Sequence, residues 1–360
     1  MFFDKQRSAS PGCQKGTGSM NAHYAGRSAL AGLLLAAALA TYATAAETPI
    51  MFSLDFKFEG PSAPFLLPLD KGIYKTEGVN VTIDQSTGSL ETISRVASGL
   101  YDMGFADINS LIKFRDANPE TPKAVFMVYN RPAFSIVARK SRGISKPKDL
   151  EGKSLGAPAL DGAYAQWPIF AQATGIDVSK VTIENVGFPV REPMLAAGQV
   201  DAITGFSFAA FIDLKDKGVP IDDIVVLLMA NYGVNLYGSA IIVNPKFAAE
   251  HPDAVKGFLR AFVKGLKETV KSPATAVDAV LKRNDAAKKP VELERLTMAI
   301  RDNIVTPEVK ANGYGAVDSA RFATAIDQIG LAYKFKAAKP KLEDIFDASY
   351  LPAVADRKFN

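Results

Sequence analysis

Ala97-Ser98-Gly99-Leu100-Tyr101-Asp102-Met103-Gly104-Phe105-Ala106 and Ala196-Ala197-Gly198-Gln199-Val200-Asp201-Ala202-Ile203-Thr204-Gly205 carry the same pattern twice. In both, an apolar helical run stops at a Gly, a two-residue turn leads to Asp, and a short apolar strand follows. Gly suits the left-handed residue that closes a helix. Asp caps a turn with its side chain. Each strand ends in small residues, where a ligand can approach the backbone. Gly99 and Gly198 stand too far apart for a solenoid repeat. The pattern fits one helix–turn–strand cassette used once in each of two similar α/β lobes, a clamp with a cleft for a small molecule. The competing reading is ordinary αβ turn chemistry, which recurs by chance in α/β chains.

Outward from the cassettes, strands and helices alternate. Strands are expected at 51–56, 79–83, 103–106 and 124–128, with helices at 90–97 and 109–116. Ser89 is the candidate N-cap of the first of these helices. The unbroken apolar run 133–138 reads as a buried crossing strand. A second series follows: strands at 154–157, 181–186, 202–204 and 224–228, helices at 164–173 and 192–197. Residues 237–243 read as a return crossing, and 254–270, 273–281 and 291–303 as helices. This rhythm predicts doubly wound, mostly parallel sheets. Two crossings around the second series predict a discontinuous lobe one (48–134 plus 240–360) and a lobe two (135–239). Paired linkers make a hinge that suits domain closure.

The N-terminus reads as an export signal. Arg27 precedes the apolar run 29–40, which ends at Ala43-Thr44-Ala45, a small-x-small cleavage pattern. Cleavage is expected after Ala45, with Met20 a second candidate start, and a periplasmic location follows. Residues 1–45 carry a net +3 of the full-chain +4, which leaves about +1. No basic stripe marks a nucleic-acid partner. Cys13 is the single Cys and precedes the apolar run, so a lipoprotein anchor is not expected. Disulfides, a thiolate nucleophile and a Cys-based metal site are excluded beyond residue 45. His251 is the one His past the leader and sits before Pro252 at a helix entrance. No cofactor and no metal are expected. The roughly 315 residues left after cleavage exceed what one core usually supports.

Several segments together resemble a known family. They are Leu54-Asp55-Phe56, then Asp70-Lys71-Gly72-Ile73-Tyr74-Lys75-Thr76-Glu77-Gly78-Val79, Gly88-Ser89, the cassette at 99–106, Ile144-Ser145-Lys146-Pro147-Lys148-Asp149-Leu150-Glu151-Gly152-Lys153 and Ala197-Gly198-Gln199-Val200-Asp201-Ala202. In this order, behind an export signal, they resemble the NMT1/THI5-like substrate-binding proteins of ABC importers (nitrate, sulfonate, taurine and pyrimidine-precursor binders). The resemblance covers about residues 50–330. It implies a two-lobed type II periplasmic-binding-protein fold and a monomer that delivers solute to an inner-membrane permease. Pyrimidine-precursor binders of this family carry a stacking Trp where this chain has Phe56, an Asn where it has Glu59 and a His where it has Ser62. The family also includes a pyrimidine synthase that uses His and Cys. This chain offers neither pairing past its leader.

In open α/β sheets ligands bind beyond the carboxyl ends of strands, which points to loops 56–62, 106–110, 157–164, 186–191, 205–208 and 231–235. The ligand-binding candidates are Phe56, Phe58, Glu59, Ser62, Asp107, Asn109, Asp161, Tyr164, Phe188, Arg191, Phe206, Phe208 and Tyr232. Phe206 and Phe208 share a face if the strand continues through Ser207. Carboxylates in a closed cleft need partners, and a ligand with amines or ring N–H groups supplies them. Aromatic faces stack on flat rings. These features favour a flat, nitrogen-containing or aromatic solute. Asp107 and Asp161 read alternatively as N-caps, and Glu59 as a solvated loop residue. Arg191 is either a surface residue or, turned inward, the grip of a sulfonate, nitrate or aromatic-carboxylate binder. A pyrimidine-synthase-like enzyme and a membrane-tethered sensor with an uncut leader are the remaining readings.

Overall fold

A computed structural model describes residues 47–118, 122–336 and 338–359. The expected export signal and its cleavage site lie outside these residues. The described residues form one compact unit built on two five-stranded sheets. The first contains β1 (Thr48–Ser53), β2 (Val79–Asp84), β3 (Met103–Asp107), β4 (Lys123–Met127) and β10 (Ser239–Val243), in the order β2-β1-β3-β10-β4. The second contains β5 (Phe134–Arg139), β6 (Ser154–Ala157), β7 (Thr182–Asn185), β8 (Ala202–Phe206) and β9 (Ile224–Leu228), in the order β7-β6-β8-β5-β9.

The two orders are equivalent. β1 pairs in parallel with β2 and β3, and β6 with β7 and β8. The antiparallel strand of each sheet is the one that has just crossed from the other. β10 returns between β3 and β4, and β5 enters between β8 and β9. Both crossing strands are buried almost end to end, as unbroken apolar runs should be. The result is the α/β, two-lobed fold of type II periplasmic binding proteins.

The cassettes do the same job in each sheet. Gly99 and Gly198 adopt φ of +76° and +71°, closing helices Ser89–Ala97 and Arg191–Ala196. Asp102 Oδ2 accepts the Met51 N–H at 2.7 Å, and Asp201 Oδ2 accepts the Ser154 N–H at 3.0 Å. Their own N–H groups donate back to the Met51 and Ser154 carbonyls. Each Asp thereby pins the edge of a neighbouring parallel strand.

Six helices position the cavity walls and the contacts between the sheets: α1 (Ser89–Ala97), α2 (Ile108–Ala117), α3 (Trp167–Thr174), α4 (Arg191–Ala196), α5 (Ser207–Asp216) and α6 (Lys289–Ala299). Gly88, not Ser89, is the N-cap of α1; the Ser89 hydroxyl instead accepts the Asp107 N–H at 3.0 Å. The expected helix at 291–303 ends in a five-residue π turn at Ile300–Ile304. No helix among the described residues is long and apolar enough to cross a membrane. The buried core does not divide between the sheets: Phe208 and Ala209, which follow β8, pack into the core of the first sheet.

Candidate functional site

β1 ends at Ser53, so Leu54, Asp55 and Phe56 leave the sheet at its carboxyl end and enter a cavity between the two sheets. Glu59 and Ser62 follow in a tight turn. Gly88 and Ser89 come from the start of α1, Phe105 from β3, and Tyr129 from just beyond β4. The facing wall is Asp161, Gly162, Phe188, Arg191, Phe206, Phe208 and Ala209. The space between these walls is partly open to solvent.

Of the residues expected from sequence, Phe56, Glu59, Ser62, Asp161, Phe188, Arg191, Phe206 and Phe208 line this cavity. Five do not. Asp107 is the N-cap of α2 and accepts from the Asn109 and Ser110 N–H groups. The Asn109 amide donates to Asp107 and to the Tyr237 carbonyl. Phe58 packs on the core of the first sheet. Tyr164 packs on the core shared by both sheets, and Tyr232 meets Phe170 edge-on at 5.8 Å. Phe206 and Phe208 reach the cavity by a different geometry from the one expected. The strand stops at Phe206 and α5 begins at Ser207, and the two rings meet at 5.8 Å and 75°.

Among the lining residues not named as candidates, Asp55 and Tyr129 are the titratable ones that are buried. In sequence Asp55 falls inside the strand expected at 51–56, and Tyr129 just past the one expected at 124–128. Asp55 is 9% exposed, and its Oδ2 accepts the Ser239 hydroxyl at 3.3 Å. No cation pairs with it among the described residues. Burial is the main cause that pushes its carboxyl from 3.8 up to about 7, and the charges of Asp107 and Asp161 add to it. The Tyr129 hydroxyl makes no hydrogen bond among the described residues, and burial raises its pKa well above the usual phenol range. Phe105, Phe206 and Phe208 surround the Tyr129 ring at 5.1, 6.3 and 5.8 Å.

Arg191 is buried rather than at the surface. Its Nε and Nη2 both donate to Glu192 Oε1, at 2.8 and 2.5 Å, and its Nη1 lies 3.6 Å from Asp161 Oδ2. Burial works against its charge, but Glu192 and Asp161 outweigh burial and hold it ionised. Asp161 also caps locally, accepting the Ala163 N–H at 3.0 Å and the Thr204 hydroxyl at 2.8 Å. The Arg191 guanidinium lies over Phe188, whose ring meets Phe56 across the cavity at 5.3 Å.

Glu59 is not solvated. Burial raises its carboxyl, and the Arg295 guanidinium, 3.4 Å away, opposes this only in part because Asp213 and Glu292 share it. The walls meet beyond the cavity. Gln166 Nε2 donates to Asp107 Oδ2 at 2.9 Å. Gly88, at φ +123°, comes so close to the facing chain that a Cβ there would lie 2.5 Å from the Leu160 carbonyl oxygen. His251 is exposed, and its ring lies 5.0 Å from Phe247, outside the cavity lining.

Residues 61–276 match the family described as NMT1/THI5 like. A 4-amino-5-hydroxymethyl-2-methylpyrimidine phosphate synthase from Schizosaccharomyces pombe is 27% identical over 219 residues, 58% of this chain and 62% of the relative. A riboflavin-binding protein from Chloroflexus aurantiacus is 26% identical over 224 residues, 61% of this chain and 62% of the relative. The chain thus spans less than two thirds of the length of either. The periplasmic aliphatic sulphonate-binding protein of Escherichia coli superposes with a TM-score of 0.66 at 13% identity, covering 84% of this chain and 99% of that one. At that identity the likeness is one of fold.

Proposed function

The chain belongs to the NMT1/THI5-like family, and from that premise we propose that it is the periplasmic solute-binding component of an ABC importer. It closes two lobes, 48–134 with 240–360 and 135–239, on a flat, nitrogen-containing solute and delivers it to an inner-membrane permease. The observation that carries this reading is Asp55, a buried carboxylate facing the cavity whose one side-chain hydrogen-bond partner among the described residues is the Ser239 hydroxyl. A buried unpaired carboxylate is costly, and a ligand bearing an amine or ring N–H relieves that cost. Phe56, Phe188, Phe206 and Phe208 offer faces and edges to a planar ring. A relative named for binding riboflavin, itself a flat nitrogen heterocycle, supports the same class.

The anion reading needs a cation with donors to spare. Arg191 spends two of its donors on Glu192 and faces Asp161, which disfavours it as a sulfonate, nitrate or carboxylate grip; Lys57, the other cation on the lining, is exposed and lies over the Phe56 ring at 5.2 Å. The synthase reading draws on relatives that carry that name. It is disfavoured because His251 lies outside the cavity, and because Cys13, the one Cys, falls in the leader whose removal is expected.

A thermal-shift screen of amino-pyrimidines, flavins, aromatic acids and alkyl sulfonates tests the proposal. A ligand at a hundredfold excess over Kd stabilises the native state by about 2.7 kcal/mol. A heterocycle hit is expected, weakened by Phe56→Ala and not by His251→Ala, with compaction in small-angle scattering. A response confined to sulfonates or carboxylates overturns the ligand class. A hit without compaction overturns lobe closure.

A further inference from the structure

Arg295, on α6 of lobe one, is 2% exposed and ringed by carboxylates. Two belong to its own lobe. Glu292 Oε2 lies 3.2 Å from its Nε, and Glu59 Oε2 3.4 Å from its Nη1. The third belongs to the other lobe: Asp213 Oδ1, on α5, accepts from Nη2 at 2.7 Å. Nη1 also donates to the Ala209 carbonyl of α5 at 3.2 Å. Glu59 and Ala209 both line the cavity, so one guanidinium touches the ligand-facing wall of each lobe.

The same two helices face each other with complementary charge. Lys215 of α5 meets Glu294 of α6 at 2.6 Å, and Asp216 of α5 meets Lys288, just before α6, at 2.9 Å. With Arg295 and Asp213, three ion pairs of alternating polarity join α5 to α6 and the residue before it.

We propose that this row is a charge latch that sets the open–closed balance, with Arg295 as the positioning residue that links it to the ligand site. The proposal rests on the lobe-closure reading above. When the lobes part, Asp213 and the Ala209 carbonyl leave, but Glu292 and Glu59 stay with Arg295 on its own lobe. Both states therefore keep the buried guanidinium paired, which an exchange between two states requires, since an abandoned buried charge is very unfavourable. A ligand N–H that engages Glu59 competes with Arg295 for that carboxylate and leaves the guanidinium to Asp213. Occupancy of the cavity then favours the closed pairing through differential contacts in the two states.

The test is an interlobe distance distribution. Spin labels are placed at Thr82→Cys and Glu184→Cys, exposed positions on the outer strands β2 and β7, in the full chain carrying Cys13→Ser. Distances are recorded with and without a heterocycle that shifts the melting temperature. Asp213→Asn should lower the ligand-free ratio of closed to open molecules by about five- to tenfold, within the usual range of coupling effects. Lys215→Glu should lower it too, and adding Glu294→Lys should restore it. Salt should lower the ratio in the unmodified chain and less in Asp213→Asn. All these variants are on partly exposed side chains. If ligand closes the lobes while Asp213→Asn and the charge swap leave the ratio unchanged, the latch is overturned and closure stands. If no condition alters the distance, latch and closure fall together.

Discussion

At the residue scale, the cavity is defined by which charges already have partners. Arg191 is taken up by Glu192 and faces Asp161, Lys57 is the other basic residue of the expected loops and also lines the cavity, and Asp55 pairs with no cation among the described residues. This makes a pH prediction. Asp55 has its carboxyl raised from 3.8 to about 7 in the ligand-free fold. A raised acid lowers fold stability as pH rises from its ordinary value through the raised one, because the fold must then carry a buried charge. A ligand N–H donor needs that charge. Ligand-induced thermal stabilisation should therefore grow as pH rises through about 7, and Asp55→Asn should flatten the rise. Glu59 titrates in the same direction, so a residual slope remains. An unchanged slope in Asp55→Asn would show that Asp55 is not the acceptor. The aromatic wall was legible from sequence because Phe56, Phe188, Phe206 and Phe208 lie at or just after strand ends. Asp55 was hidden because β1 stops at Ser53, short of the strand expected at 51–56, and Tyr129 because it follows a strand end that was not counted among the lining loops. Asp107 misled because capping and ligand binding select the same residue at the same place.

At the element scale, the repeated cassette was the most legible feature, since its constraints are local. Gly99 and Gly198 need a left-handed backbone, and Asp102 and Asp201 need short side chains to reach the neighbouring strand. What sequence did not reveal were the contacts between cassettes: the shared core, the π turn and the α5–α6 charges depend on residues distant along the chain. Gly198→Ala should destabilise by about 1–2 kcal/mol, because an L side chain resists φ of +71° and its Cβ would lie 3.2 Å from Arg142 Nη1. Gly330 is the control. It sits inside helix Ser319–Ala332, where a Cβ would make ordinary contacts, so Gly330→Ala should be stabilising by about 0.5–1 kcal/mol. Urea midpoints read both. Reversed signs, or no difference between the two variants, would remove the left-handed cap from the account of the cassette.

At the scale of the whole molecule, the two crossings lie against each other, and the C-terminal part of the chain holds them. The Gly238 N–H donates to the Tyr129 carbonyl at 2.9 Å, and a Cβ on Gly238 would lie 2.8 Å from that of Tyr129. Arg321, well past the stretch matched to the family, spans both crossings. Its Nη2 donates to the Asn130 and Leu236 carbonyls at 2.8 Å each, and its Nη1 to Asn130 Oδ1 and Glu308 Oε2 at 3.1 and 2.9 Å. The guanidinium also lies 3.9 Å from the Tyr237 ring centroid. The lobe closure proposed above would require the two crossings to stay together while the sheets move, and one side chain bonded to both meets that need. Arg321→Met keeps much of the apolar stem but removes every donor, leaving carbonyls of both crossings and Glu308 without their charged partner. Loss of charge-assisted bonds at such a site should cost about 2–4 kcal/mol, read as a lower urea midpoint at unchanged slope. A cost below about 0.5 kcal/mol, typical of an ordinary surface substitution, would mean that backbone pairing alone holds the crossings and that the C-terminal helices only decorate the hinge.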